Sequence, residues 1–328
     1  MCALFGIHDY SNCFSSRQKN IILSALSQES QVRGIDATGI SYVRDNKLQI
    51  YKRPLPAHRI RYSLPPNVKV VMGHTRMATQ GSESKNCNNH PFFGRVKNNT
   101  FALAHNGILH NDRELRRSMN LPKTNIETDS YIAVQIIEKE NAVTFDSLRK
   151  TAETVNGSFV FTVLDRHNNL YFVRGDNPIC IYHFPANGFY LYASTEEILQ
   201  QSLTLLGIDK YYNVRVPVDM GDILRIDGTG DIDRSKFKLT EYYSSWYRYS
   251  YSHRYDCEWV VVPDKDDSEY RHYINILKQT AKIYGYSSNE IDELIAEGFS
   301  LSDIEEMIGC FCDDDIYENQ ITFERVGG

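Results

Sequence analysis

Through its first 240 residues the chain repeats one pattern: short β-branched and aromatic runs, most closed by Gly, Asn or Asp. Runs of this kind are too brief for helices and read as strands bounded by turns. The candidates are 3–8, 39–43, 48–52, 68–74, 100–105, 158–164, 170–173, 179–183, 189–193 and 222–226. Helical spacing interrupts them at Arg17–Gln28, where Ile21, Ile22, Ala25 and Leu26 share a face, and again at Asp129–Glu138 and Phe145–Val155. Strands that precede and follow a helical block predict an α+β layered domain rather than a regular βαβ repeat.

Composition narrows the function classes. With 41% hydrophobic and 24% charged residues, the 328-residue chain can build a core and is not disordered throughout. A net charge of −6 argues against a dedicated nucleic-acid binder. No apolar run approaches the ~20 residues a membrane span needs, and Met1-Cys2-Ala3-Leu4 does not open a secretory signal. Seven scattered cysteines without a Cys-x-x-Cys pair support neither a disulfide framework nor a zinc ribbon. A cytoplasmic location is the simplest expectation.

Charge also divides the chain. From Asp264 onward there are 16 acidic and 5 basic residues, which leaves 26 acidic and 31 basic before it. The expected organisation is a main domain over 1–240, a Tyr-rich connector over 241–263 and an acidic helical region over 264–328. Tyrosines 242, 243, 247, 249, 251 and 255 read as a packed connector, with a partner-docking strip as the alternative. In the last region 270–284 is amphipathic, Ser287–Glu290 offers a capping box for a helix ending at Gly298, and Ser302–Glu305 offers another. Cys310-x-Cys312 beside Asp313, Asp314 and Asp315 reads as a helix end with an acidic tail rather than a soft-metal site.

Chemistry concentrates near the N-terminus. Removal of Met1 would leave Cys2 with a thiol (pKa about 8.5) and a free α-amine (pKa about 7.7–8.0) on one residue. Two groups so nearly matched can act as nucleophile and base, directly or through one water. Four polar, Gly-bearing segments follow at strand ends and loops, where functional residues concentrate: Arg33-Gly34-Ile35-Asp36-Ala37-Thr38-Gly39, Gly73-His74-Thr75-Arg76-Met77-Ala78-Thr79-Gln80-Gly81, Asn88-Asn89-His90-Pro91-Phe92 and Ala104-His105-Asn106-Gly107-Ile108. A fifth, Glu127-Thr128-Asp129-Ser130, opens an expected helix. Singly, each has an ordinary reading: Arg76 as a surface ion pair, Asp129 as a helix cap, His90 as a loop residue, Asn106-Gly107 as a hairpin turn. Phosphate-loop, nucleophile-elbow and His-Glu-x-x-His motifs are not found.

Taken in order, these segments resemble the glutaminase domain of class II glutamine amidotransferases, the N-terminal nucleophile hydrolases, over about residues 2–235. The pair His74-Thr75-Arg76-Met77-Ala78-Thr79 and Asn89-His90-Pro91 resembles the glucosamine-6-phosphate synthase branch. The resemblance implies a four-layer αββα sandwich, here with a small helical C-terminal appendage. It implies that Cys2 attacks the side-chain amide of glutamine to form a thioester, with Asn106 and Gly107 as the oxyanion hole. Arg76 then holds the α-carboxylate and Asp129 the α-ammonium. Thr79, Gln80 and His90 complete the pocket, while Arg33 and Asp36 support the nucleophile's loop from behind. Neither metal nor organic cofactor is implied.

Two departures from the family pattern stand out: Ala3 replaces the usual glycine and Met77 the usual tryptophan. Residues 76–86, rich in Ser, Gly and Asn, suit a lid. Fewer than 90 residues follow position 240, with no phosphate cradle among them, so the ammonia acceptor is expected elsewhere. Glutamine is the expected ligand. The expected partner is a separate synthase subunit, with self-association through the C-terminal region as the other possibility; no nucleic-acid or membrane partner is expected. Alternatives are a free-standing amidohydrolase on a glutamine-like or γ-glutamyl substrate, and a non-catalytic glutamine- or partner-binding module.

Overall fold

In the computed structural model, which describes residues 2–239, 274, 275, 278, 281, 287–296 and 304, two antiparallel sheets lie face to face between helices. The strands are β1 (Ala3–Asp9), β2 (Ala37–Arg44), β3 (Lys47–Arg53), β4 (Val70–Arg76), β5 (Phe92–Val96), β6 (Asn99–Leu109), β7 (Gly157–Asp165), β8 (Leu170–Arg174), β9 (Cys180–Phe184), β10 (Phe189–Ala193), β11 (Val214–Arg215), β12 (Asp222–Ile226) and β13 (Ile232–Lys236). The helices are α1 (Ser16–Glu29), α2 (Asp112–Ser118), α3 (Tyr131–Glu140), α4 (Phe145–Thr154), α5 (Glu196–Leu206) and α6 (Ser288–Ala296). One sheet runs β11-β9-β10-β1-β4-β2-β3, the other β13-β12-β8-β7-β6-β5.

The period of two along each strand sorts side chains into layers. On β1, Ala3, Phe5 and Ile7 pack against Ile22, Leu23 and Leu26 of α1 and Ile198, Leu199 and Leu203 of α5. On β6 and β7, Phe101, Leu103, Phe159, Phe161 and Val163 pack against Ile132, Ile136 and Ile137 of α3 and Leu148 of α4. The alternate residues meet between the sheets: Leu4, Val70 and Met72 face Ala102, Ala104, Val160, Phe172 and Leu224. The result is the αββα order.

All ten expected strands and the three expected helices of the main domain form, most with shifted ends, while 189–193 and 222–226 keep the expected bounds. Five elements were not expected. α2 is short, and of its apolar residues only Leu115 is buried, so no period shows. α5 carries readable signals: Thr195 caps the Ile198 amide and Gly207 closes the helix at φ 66°. β5 alternates buried Phe92, Gly94 and Val96 with exposed Phe93 and Arg95, whereas β11 and β13 are edge strands with little apolar signal.

A second unit holds the described residues from 274 onward. The expected capping box at its α6 forms. The Glu290 amide donates to Ser287 Oγ (3.3 Å), and the Ser287 amide donates to Glu290 Oε2 (2.6 Å). Ile291 is buried with Ala281 and Ile304. Of the amphipathic 270–284 segment, 274, 275, 278 and 281 are described and helical. The tyrosine connector, the Cys310-x-Cys312 pair, the acidic tail and all of the Ser302–Glu305 box except Ile304 lie outside the described residues. No described helix is long and apolar enough to cross a membrane.

Candidate active site

The groups singled out in the sequence meet at one end of the interlayer. β1 and β4 are antiparallel, with Ala3 opposite Thr75, so the start of β1 lies beside the end of β4. β6 faces both across the interlayer, and His74 Nε2 lies 3.0 Å from the His105 carbonyl. Leu4 and Ala104 share the interlayer core. Cys2 and Asn106, each two residues from one of these, therefore fall on the same inward face.

Asn106-Gly107 is not a hairpin turn. It lies inside β6, with Asn106 opposite Val160 and Gly107 opposite Phe159 on β7. Asn106 is fully buried, yet neither its amide nitrogen nor its side-chain oxygen has a hydrogen-bond partner among the described residues. Leaving one buried polar atom unpaired costs about 1–3 kcal/mol, so an orphaned amide invites an explanation from ligand binding. Gly107 sits at φ 141°, and a Cβ there would stand 1.9 Å from the Ser158 carbonyl oxygen, so only glycine fits.

Cys2 is partly buried, and its Sγ approaches the Met77 carbonyl at 3.5 Å. Burial pushes the thiol pKa up. The chain terminus, the Met77 contact and Arg76 pull it down, while Asp129 pushes it further up. The segments on either side of Cys2 are braced by neighbours. Arg33 Nε donates to the Cys2 carbonyl (3.1 Å), and Asp36 Oδ2 accepts from the Ala78 amide (2.6 Å). Gly34 lets the chain pass Arg76-Met77, since a Cβ would lie 2.5 Å from the Arg76 carbonyl carbon.

Arg76 is buried and no carboxylate lies within 4 Å of it among the described residues. Its guanidinium donates to neutral oxygens: Asn89 Oδ1, the Gln80 carbonyl and the Gly81 carbonyl, each at 2.7 Å. Burial lowers its pKa, and more distant Cys2, Asp36, Glu83 and Asp129 oppose that. A desolvated guanidinium without an ion pair is matched to an incoming carboxylate. Asp129 is also buried, and it does not cap α3. The capping position is Ser130, without a side-chain cap, and Asp129 Oδ2 instead accepts from the Leu109 amide at the end of β6 (2.6 Å).

The remaining expected pocket residues are placed differently. Thr79 is exposed. Gln80 is half-buried, its side chain donating to the Glu127 carbonyl (2.9 Å). His90 is buried with its ring tilted against those of His74 (centroids 4.1 Å apart) and Phe92 (4.3 Å), both ring nitrogens unpartnered among the described residues. Burial keeps it neutral, its pKa well below the ordinary range. Two residues given no role in the sequence reading organise this side. Asn89 holds Arg76, and Glu127 ties down the 80–88 loop through Lys85 (2.5 Å) and Asn88 (2.9 Å). Their only sequence signal is their place in the motif segments.

Residues 74–201 match the family model described as "Glutamine amidotransferase domain". Over that span, 128 of the 328 residues, the chain is similar to glutamine amidotransferase domains. Among curated proteins, the chain is 28% identical over 189 residues to glutamine–fructose-6-phosphate aminotransferase [isomerizing] of Geobacillus kaustophilus, and 29% identical over 189 residues to that of Bacillus anthracis. Each alignment covers 55% of this chain and 30% of the relative, so the chain spans about a third of the length of these relatives. Among solved structures it is similar to glutamine phosphoribosylpyrophosphate amidotransferase from B. subtilis (TM-score 0.54) and to the allosteric regulatory enzyme of purine biosynthesis (TM-score 0.58). Both are 20% identical and cover 73% of this chain and 50% of the other. Those likenesses show a shared αββα fold.

Proposed function

We propose that the domain hydrolyses the side-chain amide of glutamine to glutamate and ammonia through a thioester on Cys2. The observation that carries the reading is the convergence, at one end of the interlayer, of Cys2, a buried Arg76 without an ion pair among the described residues, a buried Asp129 and an Asn106 amide without a partner among them. With Met1 removed, the Cys2 amine takes the thiol proton and the sulfur attacks the amide carbon. Asn106 Nδ2 and the Gly107 N–H stabilise the oxyanion; one such donor is worth about 10²–10³ in rate. The amine then returns the proton to departing ammonia, and water cleaves the thioester. Arg76 pairs with the α-carboxylate and Asp129 with the α-ammonium. Thr79, Gln80 and His90 belong to this pocket and its lid, and Arg33 and Asp36 to the frame of the nucleophile.

The relatives' printed names describe transfer of glutamine nitrogen to fructose 6-phosphate. This reading takes over the ammonia-releasing half alone and assigns the acceptor to a separate synthase subunit. The test is glutamate release by protein with a verified Cys2 N-terminus, beside Cys2→Ala, with intact mass after a glutamine-analogue electrophile. Turnover and a single adduct on Cys2, both lost in the variant, are expected. A correctly processed chain that neither turns over glutamine nor takes the adduct, with or without a co-purified synthase, overturns the reading.

A further inference from the structure

The glutaminase reading assigns Asp129 to the substrate ammonium, which a carboxylate oxygen with no internal donor serves best, because both of its lone pairs are then available. Oδ2 is committed to the Leu109 amide at 2.6 Å. Oδ1 has one potential donor nearby, the Ser130 hydroxyl at 3.4 Å. That hydroxyl has a better acceptor, His105 Nδ1, at 2.8 Å.

The tautomer of His105 decides where the single hydroxyl hydrogen goes. His105 Nε2 faces the Ser158 carbonyl at 3.3 Å, and a carbonyl only accepts, so Nε2 carries the ring hydrogen. The ring is 1% exposed, and burial lowers its pKa, keeping it neutral. Nδ1 is therefore a bare acceptor, and Ser130 donates to it rather than to Asp129. The same bond ties the start of α3, with Asp129 beside it, to the strand that carries Asn106 and Gly107.

We propose that Ser130 is a positioning residue for substrates bearing a free α-ammonium. Its hydroxyl, committed to His105, leaves Asp129 Oδ1 open and fixes that carboxylate against the oxyanion strand. β6 is separately held in register by β7 from Phe101 to Leu109, so losing the tie loosens Asp129, left with its Leu109 bond, and not the oxyanion groups. The consequence is selective: recognition of the amine suffers and acyl chemistry does not.

The experiment compares glutamine with its des-amino analogue, 4-carbamoylbutanoate, in the full chain and in Ser130→Ala, Ser130→Cys and Ser130→Thr. Ser130→Ala is expected to raise KM for glutamine about tenfold, the scale of one lost hydrogen bond. The kcat for glutamine and both constants for the analogue should stay within about twofold. Ser130→Thr, which keeps the hydroxyl, should restore the glutamine KM. Ser130→Cys, which keeps the volume with a weak donor, should fall between. Equal rises in KM for both substrates, no rise for either, or no rescue by threonine would overturn the proposal while leaving the glutaminase reading standing. A wild-type chain inactive on glutamine would sink that reading, and this inference with it.

Discussion

Asn106 and Gly107 are neighbours on β6 whose substitutions should fail in opposite ways. Asn106→Ala removes two buried polar atoms that have no partner. The expected result is a fall in kcat of about 10²–10³ with no drop in melting temperature, because the lost contacts were never made. Calorimetry beside glutamate assays checks this, and a large loss of stability would mean that the amide is structural. Gly107→Ala places a methyl 1.9 Å from the Ser158 oxygen at φ 141°. Steric conflict and backbone strain together should cost about 3 kcal/mol or more, read as a lowered urea midpoint. Glutamine binding cannot rescue what is a clash between strands.

The start of the first helix depends on a charge pair that its sequence does not advertise. Lys19 Nζ meets Asp9 Oδ2 at 2.8 Å, and both residues are almost wholly buried. Lys19 also donates to the Val68 carbonyl (2.6 Å), while Asp9 accepts from the Cys13 and Phe14 amides. The pair thus fastens the end of β1 to α1 and to the approach to β4. Lys19→Met strands a buried carboxylate and should destabilise the fold by about 3–5 kcal/mol. The double variant Asp9→Asn/Lys19→Met should recover part of that loss in denaturant titrations. Equal losses in the single and double variants would show that packing, not charge, matters there. At the active end, Asp36 fastens the turn after β4 by the same logic, with one carboxylate oxygen on a backbone amide.

Across the main domain, histidines buried in neutral form set the acid limit of stability. His8 is fully buried with both ring nitrogens unpartnered, and burial lowers its pKa to about 4. Burial likewise lowers His74, to about 3, together with His90 and His105. Each folded-state pKa lies below the unfolded value of about 6.5. The unfolded chain therefore binds more protons once pH falls below about 6.5, and stability drops from there toward the folded values. Urea midpoints should fall steeply between pH 6.5 and pH 4.5. His8→Leu removes one of these protons and two orphaned polar atoms, so it should flatten the slope, and because position 8 lies near the far end of β1 from Cys2, glutamate release should persist. An unchanged slope in His8→Leu would place the acid sensitivity in carboxylates instead.

The alternation of β-branched and aromatic residues was enough to mark ten strands, because a half-buried strand writes its period of two into the chain. It could not mark α2 or the edge strands β11 and β13, whose residues bury little and so carry no such period. Cys2 stood out by its own thiol and amine, whereas Arg76, Asn106, Gly107 and Asp129 were expected only from the resemblance of the ordered motif segments. Their partners were a different matter. That Asn89 takes the guanidinium, that Asp129 binds the end of β6 instead of capping its own helix, and that Asn106-Gly107 runs on in a strand all depend on which elements the two sheets bring together. Local sequence determined what each segment can be, because propensity and periodicity act over a few residues. Only the tertiary structure decided which donors went unpaired, because pairing joins groups far apart in the chain: 20 residues for Leu109 and Asp129, and 31 for Arg33 and Cys2.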